Sequence, residues 1–175
     1  ELDPAAPWRT RGNLRELRRS PGTHVPAGDQ AQLVGLFEYE TGLGGCCSIS
    51  FVTRHADPRG DEAPHTYDAQ GNRTHTQHRI PTVVEDWEYN SFGQMTAHVL
   101  PDNGSSHRRR DEYRYYGPAD GALNGYLKEI AVDAPGLALT TRYVYDSFGH
   151  VVSRSDPRNN DTLYTVNALD QVVSE

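Results

Sequence analysis

The sequence predicts an all-β fold of repeated antiparallel hairpins, and three observations carry that reading. Apolar residues alternate with polar ones at a period of two. Clusters of turn-forming residues recur between those stretches. One short motif, aromatic–Asp/Asn–x–x–Gly, returns along the chain.

The period of two is read from Leu33 onward. Over 137–146, Leu137, Leu139, Thr141, Tyr143 and Tyr145 share one face, with Arg142 and Asp146 on the other. Over 83–90, Val83, Trp87 and Tyr89 share a face that Glu85 interrupts, opposite Asp86, Glu88 and Asn90. Both patterns predict half-buried strands. Turn formers separate the strands: Gln70-Gly71-Asn72, Phe92-Gly93, Asp102-Asn103-Gly104, Pro135-Gly136 and Arg158-Asn159-Asn160. No stretch beyond residue 30 reads as an amphipathic helix. Residues 1–32 are expected to be an irregular Pro/Gly/Arg-rich lead-in. Asp3-Pro4, Pro7, Pro21-Gly22 and Pro26-Ala27-Gly28 break this segment, leaving room for one or two helical turns over Asn13–Arg19. Residues 33–175 are expected to form the hairpin array.

The repeat is the strongest signal. Tyr67-Asp68-Ala69-Gln70-Gly71-Asn72 aligns with Tyr89-Asn90-Ser91-Phe92-Gly93-Gln94 and with Tyr145-Asp146-Ser147-Phe148-Gly149-His150. Val166-Asn167-Ala168-Leu169-Asp170-Gln171 is a degenerate fourth copy. The flanks recur too, since Asp57-Pro58-Arg59 stands as far before Tyr67 as Asp156-Pro157-Arg158 stands before Val166. The motif has a local physical sense. Tyr67, Tyr89 and Tyr145 end incoming strands and place their rings on the inner face. Asp68, Asn90, Asp146 and Asn167 open the turns by accepting a backbone hydrogen bond. Gly71, Gly93 and Gly149 supply a positive φ without steric cost, and Asp170 is a tolerable substitute. Such a unit cannot bury its aromatic face alone and must stack on its neighbours.

Composition bounds the function. In 175 residues the hydrophobic fraction is 35% and the mean hydropathy −0.74, too polar for a thick core. Ten Tyr, two Trp and four Phe supply much of the apolar area, and Tyr suits a site with a buried ring and a wet hydroxyl. A net charge of −7, with Lys128 the single Lys, argues against a nucleic-acid partner, which would need phosphate neutralisation. No run approaches the roughly 20 apolar residues of a membrane span, and no signal-peptide core is present. Both ends read as cut from a longer chain. Cys46 and Cys47 are adjacent, so they point to opposite faces of a strand and are expected to be ordinary thiols.

At its Tyr67-Asp68…Gly71-Asn72, Tyr89-Asn90…Gly93 and Tyr145-Asp146…Gly149 motifs, with the intervening Asp-Pro-Arg turns, the sequence resembles the RHS, or YD-repeat, family over about residues 37–175. Tyr113-Arg114-Tyr115-Tyr116 followed by Gly125-Tyr126-Leu127 resembles the longer hairpin of such arrays. The resemblance implies a β-sheet spiralling into a large shell, which in bacterial members encloses a toxic domain, with relatives in Tc toxin complexes and teneurins. It also implies a search for the aspartyl self-cleavage motif of the bacterial members. Asp57-Pro58-Arg59-Gly60 matches only its core, because Val52 replaces the upstream Pro and Asp61 the following apolar residue. Equivalence to Asp156-Pro157-Arg158-Asn159 marks it as a repeat turn.

Other chemistry is weaker. His55, His65, His75 and His78 lack converging metal-ligand spacing and read as solvated strand residues. No Ser lies in a Gly-x-Ser-x-Gly elbow. Glu85–Asp86 and Asp111–Glu112 splay to opposite strand faces. Arg108-Arg109-Arg110 reads as a solvated loop, and Arg59-Gly60-Asp61 as a polar turn. The expectation is therefore a non-enzymatic scaffold without cofactor or metal, part of a secreted or cell-surface protein. Its partners are expected to be neighbouring repeats and an encapsulated toxin domain. The alternative is a module that binds glycans or a surface protein through Trp87 or exposed Tyr rings.

Overall fold

The computed structural model describes residues 13–20, 32–39, 51–104 and 107–174. Cys46 and Cys47, and most of the predicted lead-in, lie outside the described residues. The chain divides into two compact units between Asp86 and Trp87. In the first, the strands are β1 (Glu16–Arg19), β2 (Leu33–Tyr39), β3 (Val52–Ala56), β4 (Glu62–Tyr67), β5 (Arg73–Gln77) and the first half of β6 (Val84–Tyr89). The second begins with the rest of β6 and continues with β7 (Met95–Asp102), β8 (Arg108–Tyr115), β9 (Leu127–Val132), β10 (Leu139–Tyr145), β11 (Val151–Ser155) and β12 (Asp161–Leu163). Within each unit the sheet order is the sequence order, and every registered pair is antiparallel. Strands β13 (Thr165–Val166) and β14 (Val172–Ser174) form a separate two-stranded ladder. The predicted all-β hairpin repetition is the observed fold.

Two local expectations are corrected, and one short element is added. Glu16–Arg19 is a strand, not a helical turn: a segment so short is below the length at which a helix sustains itself, whereas pairing Glu16 with Leu36 and Arg19 with Leu33 satisfies its backbone. Arg108–Arg110 begins β8 and is no loop. Pro118–Leu123 forms a short 3-10 helix inside the long β8–β9 connection, capped by a Gly117 N–H that donates to Asp120 at 2.7 Å.

The sheet is one layer thick. Among the described residues only Gly35, Ala56, Thr76, Ala97, Asp111 and Ala131 are buried, and no large side chain is fully enclosed. The low apolar content anticipated this. Stability must therefore come from cross-strand neighbours on each face, the natural unit of sheet energetics.

In the second unit one face is an ion-pair ladder. Arg110 grips Glu88 at 2.6 and 2.7 Å and reaches Glu112 at 3.2 Å, while Arg114 and Arg142 converge on Glu129 at 2.9 and 3.0 Å. Beneath them lie Ala97 and Ala131, directly opposite Glu112. Small residues there leave room for long charged stems to lie flat and cover the backbone. In the first unit Arg54 plays this role between Glu38 and Glu62, at 2.6 Å to each, beside buried Ala56.

The opposite face of the second unit is aromatic. The Trp87 and His98 rings stack with centroids 5.2 Å apart, and Tyr113 lies opposite Ile130, which in turn lies opposite Thr141. Asp111 shares this face and is the one buried carboxylate among the described residues. Arg109 holds it through two bonds of 2.8 and 2.6 Å, and the Asp133 N–H donates at 2.9 Å. The Arg109 guanidinium keeps its carboxyl below the usual range.

Candidate functional site

The predicted motif residues come together as hairpin corners. Asp68, Asn90, Asp146 and Asn167 each accept two backbone N–H bonds through one oxygen, from the second and the fourth residue onward, at 2.9–3.1 Å. The backbone closes the same loop each time, the first residue donating to the fifth residue's carbonyl and the fourth donating to the first's. The fourth residue has positive φ throughout: 88° at Gly71, 78° at Gly93, 92° at Gly149 and 60° at Asp170. This is a type I turn followed by a left-handed residue, the three-residue hairpin connection with its bulge. The bulge falls at the motif's leading residue, between Thr66 and Tyr67, Val144 and Tyr145, and Thr165 and Val166.

The two Asp-Pro-Arg flanks adopt the same turn. Asp57 accepts from the N–H groups of Arg59 and Asp61 at 2.8 and 3.0 Å, and Asp156 from those of Arg158 and Asn160 at 2.8 and 2.9 Å. Gly60 at 81° and Asn159 at 62° take the positive-φ place. Asp57-Pro58-Arg59-Gly60 is thus geometrically a repeat corner. One turn chemistry serves both rims of the sheet, a unity hidden in sequence because Pro58 and Pro157 stand where the other copies have Ala or Ser.

The tyrosines act through their hydroxyls. Tyr67 donates to the carbonyl of Val52 at 2.7 Å and Tyr145 to that of Leu127 at 2.8 Å. Both acceptors open the strand that pairs with the tyrosine's own. Tyr115 does the same to Met95 at 2.8 Å, and Tyr39 reaches Leu14, just ahead of β1, at 2.8 Å. Neither Tyr115 nor Tyr39 was separable by motif, because the segments after them lack the short Asp/Asn–x–x–Gly spacing. The expectation of wet hydroxyls is corrected: these four bond the backbone, so each ring lies along the sheet and ties a strand's end to its neighbour's start. Burial pushes the Tyr67 and Tyr145 phenols up. Tyr89 is half-buried at the same place in its corner. Val166, lacking a hydroxyl, cannot make this bond.

A second layer at several corners escaped the sequence. The Phe51 ring stacks on Tyr67 at 5.1 Å and covers Gly71 so closely that an added Cβ would lie 2.5 Å from it. Tyr126 packs against Tyr145 at 5.1 Å, tilted by 49°, and likewise covers Gly149. Gln94 occupies the corresponding place over Gly125, donating to its carbonyl at 2.7 Å. Over the degenerate corner sits His150, whose Nε2 meets Asp170 at 3.0 Å while Nδ1 meets Asp146 at 2.9 Å. At Asp170, as at Gly125, a hydrogen-bonding side chain stands in place of the covering ring. The Asp146 bond, followed by the Asp146 and Asp170 charges, raises the His150 pKa above its ordinary value.

The remaining titratable candidates are structural. His75 pairs with Asp86 at 2.5 Å, His78 with Glu85 at 2.8 Å, and His65 with Thr76 at 2.8 Å, replacing the expected solvated histidines with half-buried cross-strand pairs. Glu85 and Asp86 do splay apart. Desolvation, followed by the nearby Arg73, lowers the His65 pKa. Asp61 of the Arg-Gly-Asp tripeptide is engaged by Arg79 at 2.9 Å.

No family model matches the chain, and no curated protein sequence matches it. Solved structures do. The TcdB2-TccC3 complex aligns over 82% of this chain with a TM-score of 0.61 and 17% identity. The same complex without its hypervariable C-terminal region aligns at 0.61 and 18%, and TcdB2-TccC3-Cdc42 at 0.60 and 16%. The chain spans 7% of the length of each of these neighbours. At this identity the likeness shows a shared fold: the chain is built like a short stretch of a Tc toxin complex chain.

Proposed function

We propose that this chain is a stretch of the wall of an RHS-type shell, belonging to a secreted or surface protein that encloses a toxin cargo domain. The observation that carries the reading is the single-layer sheet locked corner to corner, in a fold shared with Tc toxin complex chains. A one-layer ribbon has no interior of its own, and a wall is the use to which such a ribbon is suited. Its two faces are finished differently, one with paired charges and one with aromatic rings, as a partition between two environments would require. Partners on this reading are neighbouring repeats and an enclosed polypeptide, and the chain performs no catalysis. The glycan-binding alternative has less support, because the Trp87 ring already stacks on His98 and the corner tyrosine hydroxyls are spent on backbone carbonyls.

Limited proteolysis of the full protein containing this chain tests the proposal. A second polypeptide or domain should resist protease while the wall is folded, and become cleavable when mild denaturant opens the corners. Digestion of every domain at one rate, with the sheet still folded, would overturn it.

A further inference from the structure

Four residues that stand just ahead of a return strand touch the positive-φ residue of a corner one hairpin further along. Phe51, ahead of β3, covers Gly71, and Tyr126, ahead of β9, covers Gly149. Gln94, ahead of β7, bonds the Gly125 carbonyl, and His150, ahead of β11, meets Asp170 at 3.0 Å. Of these side-chain types, histidine is the one that ordinarily changes charge between about pH 5 and pH 8. The corner it holds also lacks an anchor that its relatives have. Val166 stands where Tyr67 and Tyr145 bond a neighbouring strand's carbonyl, and it has no hydroxyl to offer. Strands β13 and β14 form a ladder apart from the main sheet. The chain enters that ladder through Tyr164, whose N–H still donates to the Val152 carbonyl at 3.0 Å.

Both ring nitrogens of His150 face carboxylates, Nδ1 lying 2.9 Å from Asp146 and Nε2 3.0 Å from Asp170. A carboxylate only accepts, so both contacts are hydrogen bonds only in the imidazolium, whose two nitrogens both donate. The neutral ring keeps a single N–H. Asp146 belongs to the histidine's own corner and its side chain is 31% exposed, against 77% for Asp170. The bond less screened by solvent is the stronger, so the remaining proton stays on Nδ1. Nε2 then turns a lone pair toward the Asp170 oxygen, and the contact that fails is the one between corners. Among the described residues these two carboxylates are the charged groups that act on the ring. The Phe148 ring, with centroids 6.2 Å apart, is its uncharged neighbour.

We propose that His150 is a proton-operated latch: as imidazolium it holds the β13–β14 hairpin to the β10–β11 corner, and on losing a proton it frees that hairpin to turn about Tyr164. The freed hairpin keeps its own form. Asn167 still accepts from the Leu169 and Gln171 N–H groups at 2.9 and 3.1 Å, and Thr165 and Val166 still pair with Ser174 and Val172. The Asp146 bond, followed by the Asp146 and Asp170 charges, holds the proton on the ring, so release is centred above about pH 6.5. The inference goes beyond the wall reading and does not rest on it, since the latch works whether or not anything is enclosed.

NMR relaxation of the backbone amides, followed from about pH 5.5 to about pH 9, tests it on the natural chain, D170G and H150Y/D170G. Dispersed signals from β7 to β11 confirm that each version keeps its sheet. In the natural chain the Val172 and Val173 order parameters should fall from about 0.85 to below about 0.6 as pH rises. The midpoint of that fall should match the titration of the His150 ring resonances. D170G keeps the histidine and the positive-φ position but removes the acceptor, so its hairpin should be mobile throughout. H150Y/D170G installs the ring-and-glycine pair of Tyr126 and Gly149 and should show no pH dependence. A natural hairpin equally mobile at both ends of the range overturns the proposal, as does a midpoint that differs from that of His150. Loosening with pH in either variant, or a D170G hairpin as ordered as the natural one at about pH 5.5, also overturns it.

Discussion

A glycine in a corner answers two separate demands, and the structure divides them among positions. Gly60 and Gly149 both hold positive φ, at 81° and 92°. A Cβ at Gly60 would meet nothing within 4 Å, whereas one at Gly149 would lie 2.4 Å from the Tyr126 hydroxyl and 2.9 Å from its ring. Gly60→Ala should therefore cost only the left-handed backbone penalty, about 1 kcal/mol. Gly149→Ala should cost roughly 2–3 kcal/mol, because an overpacked ring is added to the same penalty. Urea titration of the two variants checks the difference, and equal losses would contradict the covering-ring account. The tyrosines allow a similar comparison. Tyr145→Phe removes a hydroxyl that donates to Leu127 and should cost about 1 kcal/mol. Tyr143 is half-buried, and Tyr143→Phe removes no hydroxyl bond of this kind, so it should cost clearly less, within about 0.5 kcal/mol.

For the hairpin as an element, the corner acid decides behaviour in acid. Bonds to its N–H groups favour the carboxylate, so Asp57 sits below its ordinary pKa, held chiefly by the Asp61 N–H, and Asp156 likewise, held chiefly by Asn160. A group whose folded pKa is depressed contributes stability above its unfolded value, about 3.9, and loses it as pH falls through the folded value. Asn90 and Asn167 accept the same backbone bonds without a charge. Asp57→Asn with Asp156→Asn should therefore preserve the corners and flatten the drop in urea midpoint below about pH 4. His150 carries the opposite sign. Its raised pKa means that the tie to Asp146 and Asp170 is fully present below about pH 6.5 and is lost as pH rises through the folded value. His150→Gln should remove that alkaline-side loss, read from the midpoint of unfolding between about pH 6 and pH 8.

At the scale of the whole sheet, the lack of an enclosed core among the described residues means that protection should follow the number of bonded neighbours each strand has. Strands β8 and β9 are paired on both sides and carry the ion-pair ladder. Strand β14 is exposed along its length and pairs only with two-residue β13. Amide hydrogen exchange should accordingly be slowest in β8 and β9 and fastest in β14, in the graded manner of repeat arrays rather than as a single cooperative unit. Uniform protection from β5 to β14 would show that the strands are coupled more globally than their contacts imply.

The all-β class, the hairpin order and the four corners with Tyr67, Tyr89, Tyr145 and Val166 at their heads were legible in sequence, because turn chemistry and strand alternation are local. A left-handed residue after Asp–x–x demands Gly, or tolerates Asp170, wherever the segment is placed. What lay beyond reach was every pairing between distant residues: Phe51 over Gly71, Tyr126 over Gly149, His150 against Asp170, and Arg110 bridging Glu88 and Glu112. The short lead-in strand Glu16–Arg19 and the β8 arginines were misjudged for that same cause, since a segment's state there depends on a partner strand that periodicity does not name. Local backbone preference writes the corner. Only the register of the folded sheet decides which side chain covers it.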